Sequence, residues 1–307
     1  MEEVRTALAR IPLFAGRDLG GARIDRLGGL TNRVYRVTLD GESFCLRIPG
    51  KGTGDYIDRK VEATNARAAA RAGIAPQILF FDEADGLMVT PFLDGVVTMT
   101  PELFRTREGA VERVALSLRR LHGSGEQFAF RFELFSMIDD YLKVIAERKV
   151  ALPEGYPEVV AEAQAVREAL AAHPLPLVPC HCDPLCENFL DTGERVWIVD
   201  WEYSGMNDPM WDLGDLSVEA AFTPAQDAAL LEAYFGGPPG SFERGRMVIY
   251  KAMCDLLWTL WGLIQHADGN PAEDFWAYAI GRFDRCKALM ATPQFGQHLE
   301  AVRRGPA

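Results

Sequence analysis

Residues 180–215 read CHCDPLCENFLDTGERVWIVDWEYSGMNDPMWDLGD, and no other stretch concentrates so many reactive groups. His181, Asp183 and Asn188 stand in the pattern H-x-D-x-x-x-x-N. A β-like run over residues 196–199 then ends on Asp200. Asp183, Asn188 and Asp200 thus bring three oxygen donors to loop or strand-end positions of one short segment. A phosphoryl-transfer site needs that set. One carboxylate orients and deprotonates the attacking hydroxyl, while an amide oxygen and a second carboxylate hold Mg²⁺ against the phosphates. With a loose transition state positioning outweighs base strength, so an aspartate of ordinary pKa suffices. His181 reads as a buttress of the loop rather than a proton carrier.

Two blander readings compete. If His181 and Asp183 only capped turns, Asp200 and the upstream elements would be left unexplained. Metal binding by Cys180, Cys182, Cys186 and His181 fits poorly. Structural zinc takes paired C-x₂₋₄-C clusters, and C-x-C-x₃-C has no second cluster here. The cysteines read as small, semi-buried residues.

The elements that must position these groups lie upstream. Residues 1–14 read as a short amphipathic helix ended near Pro12. Residues 22–27, 34–39 and 42–48 read as antiparallel strands, the last two joined by the hairpin pair Asp40-Gly41. Phe44, Leu46 and Ile48 share one face of the third strand, Cys45 and Arg47 the other. The loop Gly28-Gly29-Leu30-Thr31-Asn32 lets backbone N–H groups approach a phosphate closely, or is an ordinary hairpin loop. Arg47 offers a fork for two phosphate oxygens, or is a surface-strand arginine. Asp55 is a candidate N-cap for a helix over 56–72, with Ile57, Val61, Ala68 and Ala72 near one stripe that Thr64 interrupts. Arg59 and Glu62 lie on this helix; both fit a solvated face, and Arg59 also fits a bond to Glu62 or to phosphate. Residues 77–81 and 87–90 read as two more strands. From Glu102 onward the pattern is helical: 111–121, 132–150, 157–173, 216–222, 224–235, 242–266 and 272–291. His122 reads as a helix-end cation. Trp258 and Trp261 fall on one helix face, which fits core packing.

Several of these residues together carry a family resemblance. H-x-D-x-x-x-x-N followed by (I/V)-D-(W/F/Y)-E resembles the small-molecule kinases of the protein-kinase-like superfamily, the aminoglycoside phosphotransferases and the choline/ethanolamine kinases. The strings VDWEYSG at 199–205 and WDLG at 211–214 are closer to the choline/ethanolamine branch. Against the protein-kinase pattern H-R-D-x-x-x-x-N and D-F-G, Cys182 replaces the Arg, and Asp200-Trp201-Glu202 replaces D-F-G.

The resemblance implies an α+β, bilobal protein-kinase-like fold. Its N-terminal antiparallel-sheet lobe, with one main helix, would occupy residues 1–92. A larger, mostly helical lobe would occupy 93–307. It implies ATP and Mg²⁺ as cofactors, and a phosphate-covering loop at Gly28, Gly29, Thr31 and Asn32. Arg47 would grip the phosphates and Glu62 would hold Arg47; Asn188 and Asp200 would be the metal ligands. Asp212 would position the loop. Glu202, Tyr203, Glu219, Trp258 and Trp261 would form the acceptor side, with Trp201 as a further wall or packed beside the metal. Aromatic faces suit a quaternary ammonium. The activity implied is phosphorylation of choline or a related amino alcohol. The alternatives are an aminoglycoside-type kinase of another small alcohol, or an inactive nucleotide-binding relative.

Composition narrows the field. The 307 residues are 48% hydrophobic, enough for one large domain or two lobes. No apolar run of membrane length is evident in the sequence, and residues 1–5 lack a signal-peptide core. Six cysteines without a framework suggest reduced thiols and a cytoplasmic setting. A net charge of −12 argues against nucleic acid and anionic headgroups. It favours a cationic substrate, although solubility alone explains it equally well. Oligomeric state is not legible.

Overall fold

The computed structural model describes residues 2–28, 32–50 and 57–306. Helix α1 (Glu2–Ala9) is followed by a 3-10 turn at Pro12–Phe14, shorter than the continuous helix the sequence suggests. Strands β1 (Arg23–Gly28), β2 (Arg33–Leu39), β3 (Glu42–Ile48), β4 (Phe80–Phe81) and β5 (Met88–Pro91) form one antiparallel sheet in the order β1-β2-β3-β5-β4. Asp40 and Gly41 both take positive φ, 52° and 81°, the mirror-image turn whose twist suits a hairpin. Phe44, Leu46 and Ile48 pack with Val4 and Leu8 of α1 in one small core. Arg47 points the other way and is nevertheless buried.

Helix α2 (Arg59–Arg71) departs from the sequence reading. Its N-cap is Asp58, which accepts the Lys60 N–H at 2.9 Å; Asp55 and Tyr56 lie outside the described residues. The buried face carries Glu62, Asn65, Ala66 and Ala69 together with Ala68; of the expected stripe Ile57 and Ala68 are buried, Val61 and Ala72 half-buried, and Thr64 exposed. The reason is polar. Asn65 donates to the Ser204 carbonyl at 2.9 Å and accepts the Ala129 N–H at 2.8 Å. The helix therefore turns its hydrogen-bonding side inward along with part of the expected stripe.

After β6 (Val97–Thr98) the chain is mostly helical: α3 (Pro101–Thr106), α4 (Ala110–His122), α5 (Leu134–Arg148) and α6 (Tyr156–Ala172). Four short strands follow: β7 (Val178–Cys180), β8 (Phe189–Asp191), β9 (Val196–Ile198) and β10 (Gly205–Asn207). They pair as β6-β8-β9 and β10-β7 and frame the 181–200 segment. Helix α7 (Pro209–Glu219) begins well before the expected 216, because Asp208 caps it at Met210 N–H (2.9 Å) and Pro209 opens it. Helices α8 (Pro224–Phe235), α9 (Ser241–Ala267), α10 (Phe275–Met290) and α11 (Pro293–Arg304) complete the fold; α11 has no counterpart in the sequence reading. Helix α9 is long and apolar enough to cross a membrane, but 78% of that window is buried inside the fold. It is the central core helix.

Candidate active site

Strand pairing assembles the site. Strands β8 and β9 run antiparallel, and past their ends the Val199 N–H donates to the Asn188 carbonyl at 3.0 Å. His181 Nε2 lies 2.9 Å from the Val199 carbonyl, so the loops bearing Asp183 and Asp200 are tied together. Burial lowers the His181 pKa, which favours the neutral ring expected of a buttress. Asp212 in α7 accepts the His181 and Cys182 N–H groups, both at 2.8 Å. It also meets His122 Nε2 at 3.0 Å. His122 ends α4, as the sequence suggests, and its ring is buried between Asp212 and the Tyr234 hydroxyl, 2.8 Å away.

Asp183 follows directly. Among the described residues its carboxylate has no hydrogen-bond or ion-pair partner, while Asn188 Nδ2 donates to its backbone carbonyl at 3.0 Å. Burial, then the charges of Glu219 and Asp200, hold Asp183 well above the usual carboxylate range against the pull of Arg282.

Asp200 has φ +66°, a conformation a non-glycine residue adopts only when its surroundings impose it. Its Oδ1 is 3.2 Å from Arg47 Nη1 and its Oδ2 is 3.5 Å from Asn32 Nδ2. Burial and the Glu202 carboxylate push it up to about 7, opposed by Arg47. Arg47 is paired with Glu62 and donates to the Gly86 carbonyl at 3.2 Å, which excludes the surface-strand reading. Arg59 is likewise buried, not solvated: its Nη1 is 2.6 Å from both Glu62 and Glu202. Gly28 ends β1 and Asn32 is buried beside Asp200; Gly29 and Thr31 lie outside the described residues.

The donor set suits a nucleotide and a hard cation. Asp200, Asn188 and Glu202 offer only oxygen to a metal, as Mg²⁺ requires. The carboxylates of Glu62, Asp200 and Glu202 lie within 4.8 Å of one another. Arg47 Nε and Asn32 Oδ1 are buried with no hydrogen-bond partner among the described residues, a donor and an acceptor still to be satisfied.

Beyond Asp183 stand the acceptor-side candidates. Trp261 Nε1 donates to the Tyr203 hydroxyl at 3.0 Å, and Tyr203 meets Trp258 edge-on at 5.5 Å. Trp258 and Trp261 are themselves edge-to-face at 6.4 Å. Glu219 is paired with Arg282, which also reaches Asp255 at 3.1 Å. Trp201 belongs elsewhere: it is buried edge-on against Phe128 and His181 and walls nothing. Sequence reasoning missed Asp215, Tyr278 and Arg282. Asp215 sits four residues before Glu219 on α7, a spacing that shares a helix face and could have revealed it. Trp258 Nε1 donates to Asp215 Oδ2 at 3.3 Å. Tyr278 packs on Trp261 at 5.8 Å and under the Arg282 guanidinium at 4.6 Å. Both lie on α10, where no sequence motif marked them.

Comparison with known proteins agrees with this geometry. Residues 24–247 match the phosphotransferase enzyme family. A crystal structure of a choline/ethanolamine kinase family protein from Mesorhizobium loti is 62% identical, covers 99% of both chains and superposes with a TM-score of 0.91. The chain belongs to the choline/ethanolamine kinase family. As a family member it is a small-molecule kinase, a phosphotransferase with an alcohol as acceptor. Choline kinase LicA from Streptococcus pneumoniae is 26% identical, with a TM-score of 0.80 over 95% of this chain and 99% of that one. Ethanolamine kinase 2 of Mus musculus is 26% identical over 291 residues, 84% of this chain and 73% of that protein.

Proposed function

We propose that this kinase transfers the γ-phosphoryl group of ATP to the hydroxyl of choline or a closely related amino alcohol, with Asp183 as the base. The observation that carries the reading is the Asp183 carboxylate: half-buried, without a hydrogen-bond or ion-pair partner among the described residues, and in the field of both Asp200 and Glu219. Asp183 orients the acceptor hydroxyl and takes its proton as the oxygen reaches phosphorus. Arg47, whose Nε is unsatisfied, turns its fork to the phosphates. Asn32, buried beside Asp200, stands next to them. Asn188 and Asp200 would hold Mg²⁺, which when bound neutralises charge on the phosphates. Tyr203, Trp258, Trp261 and Tyr278 present aromatic faces to the ammonium, and Glu219 adds a carboxylate beside them. The lobes divide at residues 92 and 93 in this reading, and dependence on ATP fits a cytoplasmic enzyme.

One observation favours ethanolamine as a second acceptor. Asp215 Oδ1 is buried beside Trp258 without a donor among the described residues, and a primary ammonium brings N–H groups that a quaternary one lacks. A panel of choline, ethanolamine, methylated ethanolamines, kanamycin-type sugars and water, read as ADP release, separates these readings. Turnover on a small amino alcohol supports the proposal. Turnover on the sugars alone, or nucleotide binding without turnover on any alcohol, defeats it.

A further inference from the structure

Arg47 carries more obligations than one side chain can meet during catalysis. It is paired with Glu62, contacts Asp200 at 3.2 Å and lies 4.0 Å from Glu202. If its guanidinium swings to phosphate, Glu62 and Glu202, whose side chains are 1% and 7% exposed, lose a counter-charge. Buried carboxylates without a cation are costly, so they would pull Arg47 back. Arg59 answers this difficulty. Its Nη1 is 2.6 Å from Glu62 Oε2 and 2.6 Å from Glu202 Oε1, one cation bridging both carboxylates. It spans from α2 to the loop after β9, so it also joins the sheet side to the catalytic loop. The slot it occupies is made for it: a Cβ on Gly86 would stand 2.7 Å from Arg59 Cδ and Nε. The same Gly86 offers its carbonyl to Arg47.

We infer that Arg59 is a positioning residue for the nucleotide site: it neutralises Glu62 and Glu202 so that Arg47 is free to grip the phosphates. The inference rests on the nucleotide reading above and deepens it, since neither arginine would matter in this way without an anionic ligand. In an enzyme lacking Arg59, Arg47 is held by the two carboxylates and nucleotide affinity falls. Of the acceptor side, Glu219, Trp258, Trp261 and Tyr278 stand on α7, α9 and α10, while Tyr203 stands on the loop after β9.

The test is calorimetric Mg-ATP binding to the whole chain, alongside steady-state constants for nucleotide and acceptor. Arg59→Gln should weaken Mg-ATP about tenfold with acceptor KM unchanged. Arg59→Lys, which keeps the charge but presents one point rather than a fork, should weaken it about threefold. Glu202→Gln placed in the Arg59→Gln enzyme should recover part of the Mg-ATP affinity, because one carboxylate competing for Arg47 is gone. An Mg-ATP affinity within twofold of wild type in Arg59→Gln overturns the inference. So does a rise in acceptor KM equal to the rise in nucleotide KM, or a further loss of affinity in the double variant. Should Arg59→Gln not fold, Arg59→Lys decides: a nucleotide KM indistinguishable from wild type overturns the inference, and a selective threefold rise upholds it. A wild-type enzyme that binds no Mg-ATP would instead be a failure of the nucleotide reading itself.

Discussion

The Asp212 carboxylate accepts the Cys182 backbone N–H at 2.8 Å while Cys182 holds φ +66°. A buried non-glycine residue keeps a left-handed backbone only when its neighbours over-determine it. Asp212 supplies that constraint with both oxygens, one on His181 N–H and one on Cys182 N–H, and so fixes the direction of Asp183 one residue later. Asp212→Asn turns an amide N–H₂ toward a backbone donor. It should lower kcat about 100-fold through misplacement of Asp183. It should also cost about 1–3 kcal/mol of stability. Steady-state kinetics and urea unfolding of the same preparation check both.

In the proposed acceptor wall Trp261 Nε1 donates a hydrogen bond to the Tyr203 hydroxyl. Trp261→Leu removes both the donor and an aromatic face. Acceptor KM should rise about tenfold, in line with the cation–π contribution of a desolvated ring. Nucleotide KM should stay within twofold of wild type. Equal changes in both constants would show that the helix, not the pocket, had been disturbed.

Acid stability has a local source in Asp191. Burial alone would raise this carboxyl, but Arg113, the Gly193 N–H and Arg107 outweigh it and bring the pKa down to about 2. Arg107 Nε and Arg113 Nη2 lie 2.5 and 2.6 Å from Oδ2. A carboxyl depressed by folding contributes stability that is fully present above its unfolded pKa near 4, and that is lost as pH falls toward 2. Asp191→Asn should therefore reduce stability at pH 7 by about 2 kcal/mol and flatten the loss between pH 5 and 2. Thermal melts across that range give the comparison.

Gly86, at φ +85°, is a glycine whose substitution strikes the Arg59–Glu62–Glu202 ion network. Alanine there is strained by the left-handed backbone, at about 1–2 kcal/mol. Its methyl also meets an Arg59 that two carboxylates hold in place. A drop in urea midpoint together with weaker nucleotide binding is the expected outcome. Alanine at Gly41, also left-handed but with open space beside it, should lower the midpoint alone.

The sheet was legible because its signals are local: Asp40-Gly41 sets the hairpin, and Phe44, Leu46 and Ile48 alternate. The catalytic loop was legible because Asp183, Asn188 and Asp200 are near in sequence. Helix α2 was misread because its buried side is polar. No apolar periodicity announces that Asn65 bonds Ser204, 139 residues away. The partners of Arg59 and His122 went unseen for the same reason, since Glu202 and Asp212 come from distant segments. Arg282 gave no signal at all, as its surroundings, Glu219, Asp255 and Tyr278, are brought together by the fold.

The central claim is that Asp183 takes the acceptor proton, and Asp183→Asn tests it most directly. The account predicts a loss of kcat of about 10³-fold or more, with Mg-ATP affinity within threefold of wild type. Phosphorylation of the acceptor at the wild-type rate by Asp183→Asn would contradict it.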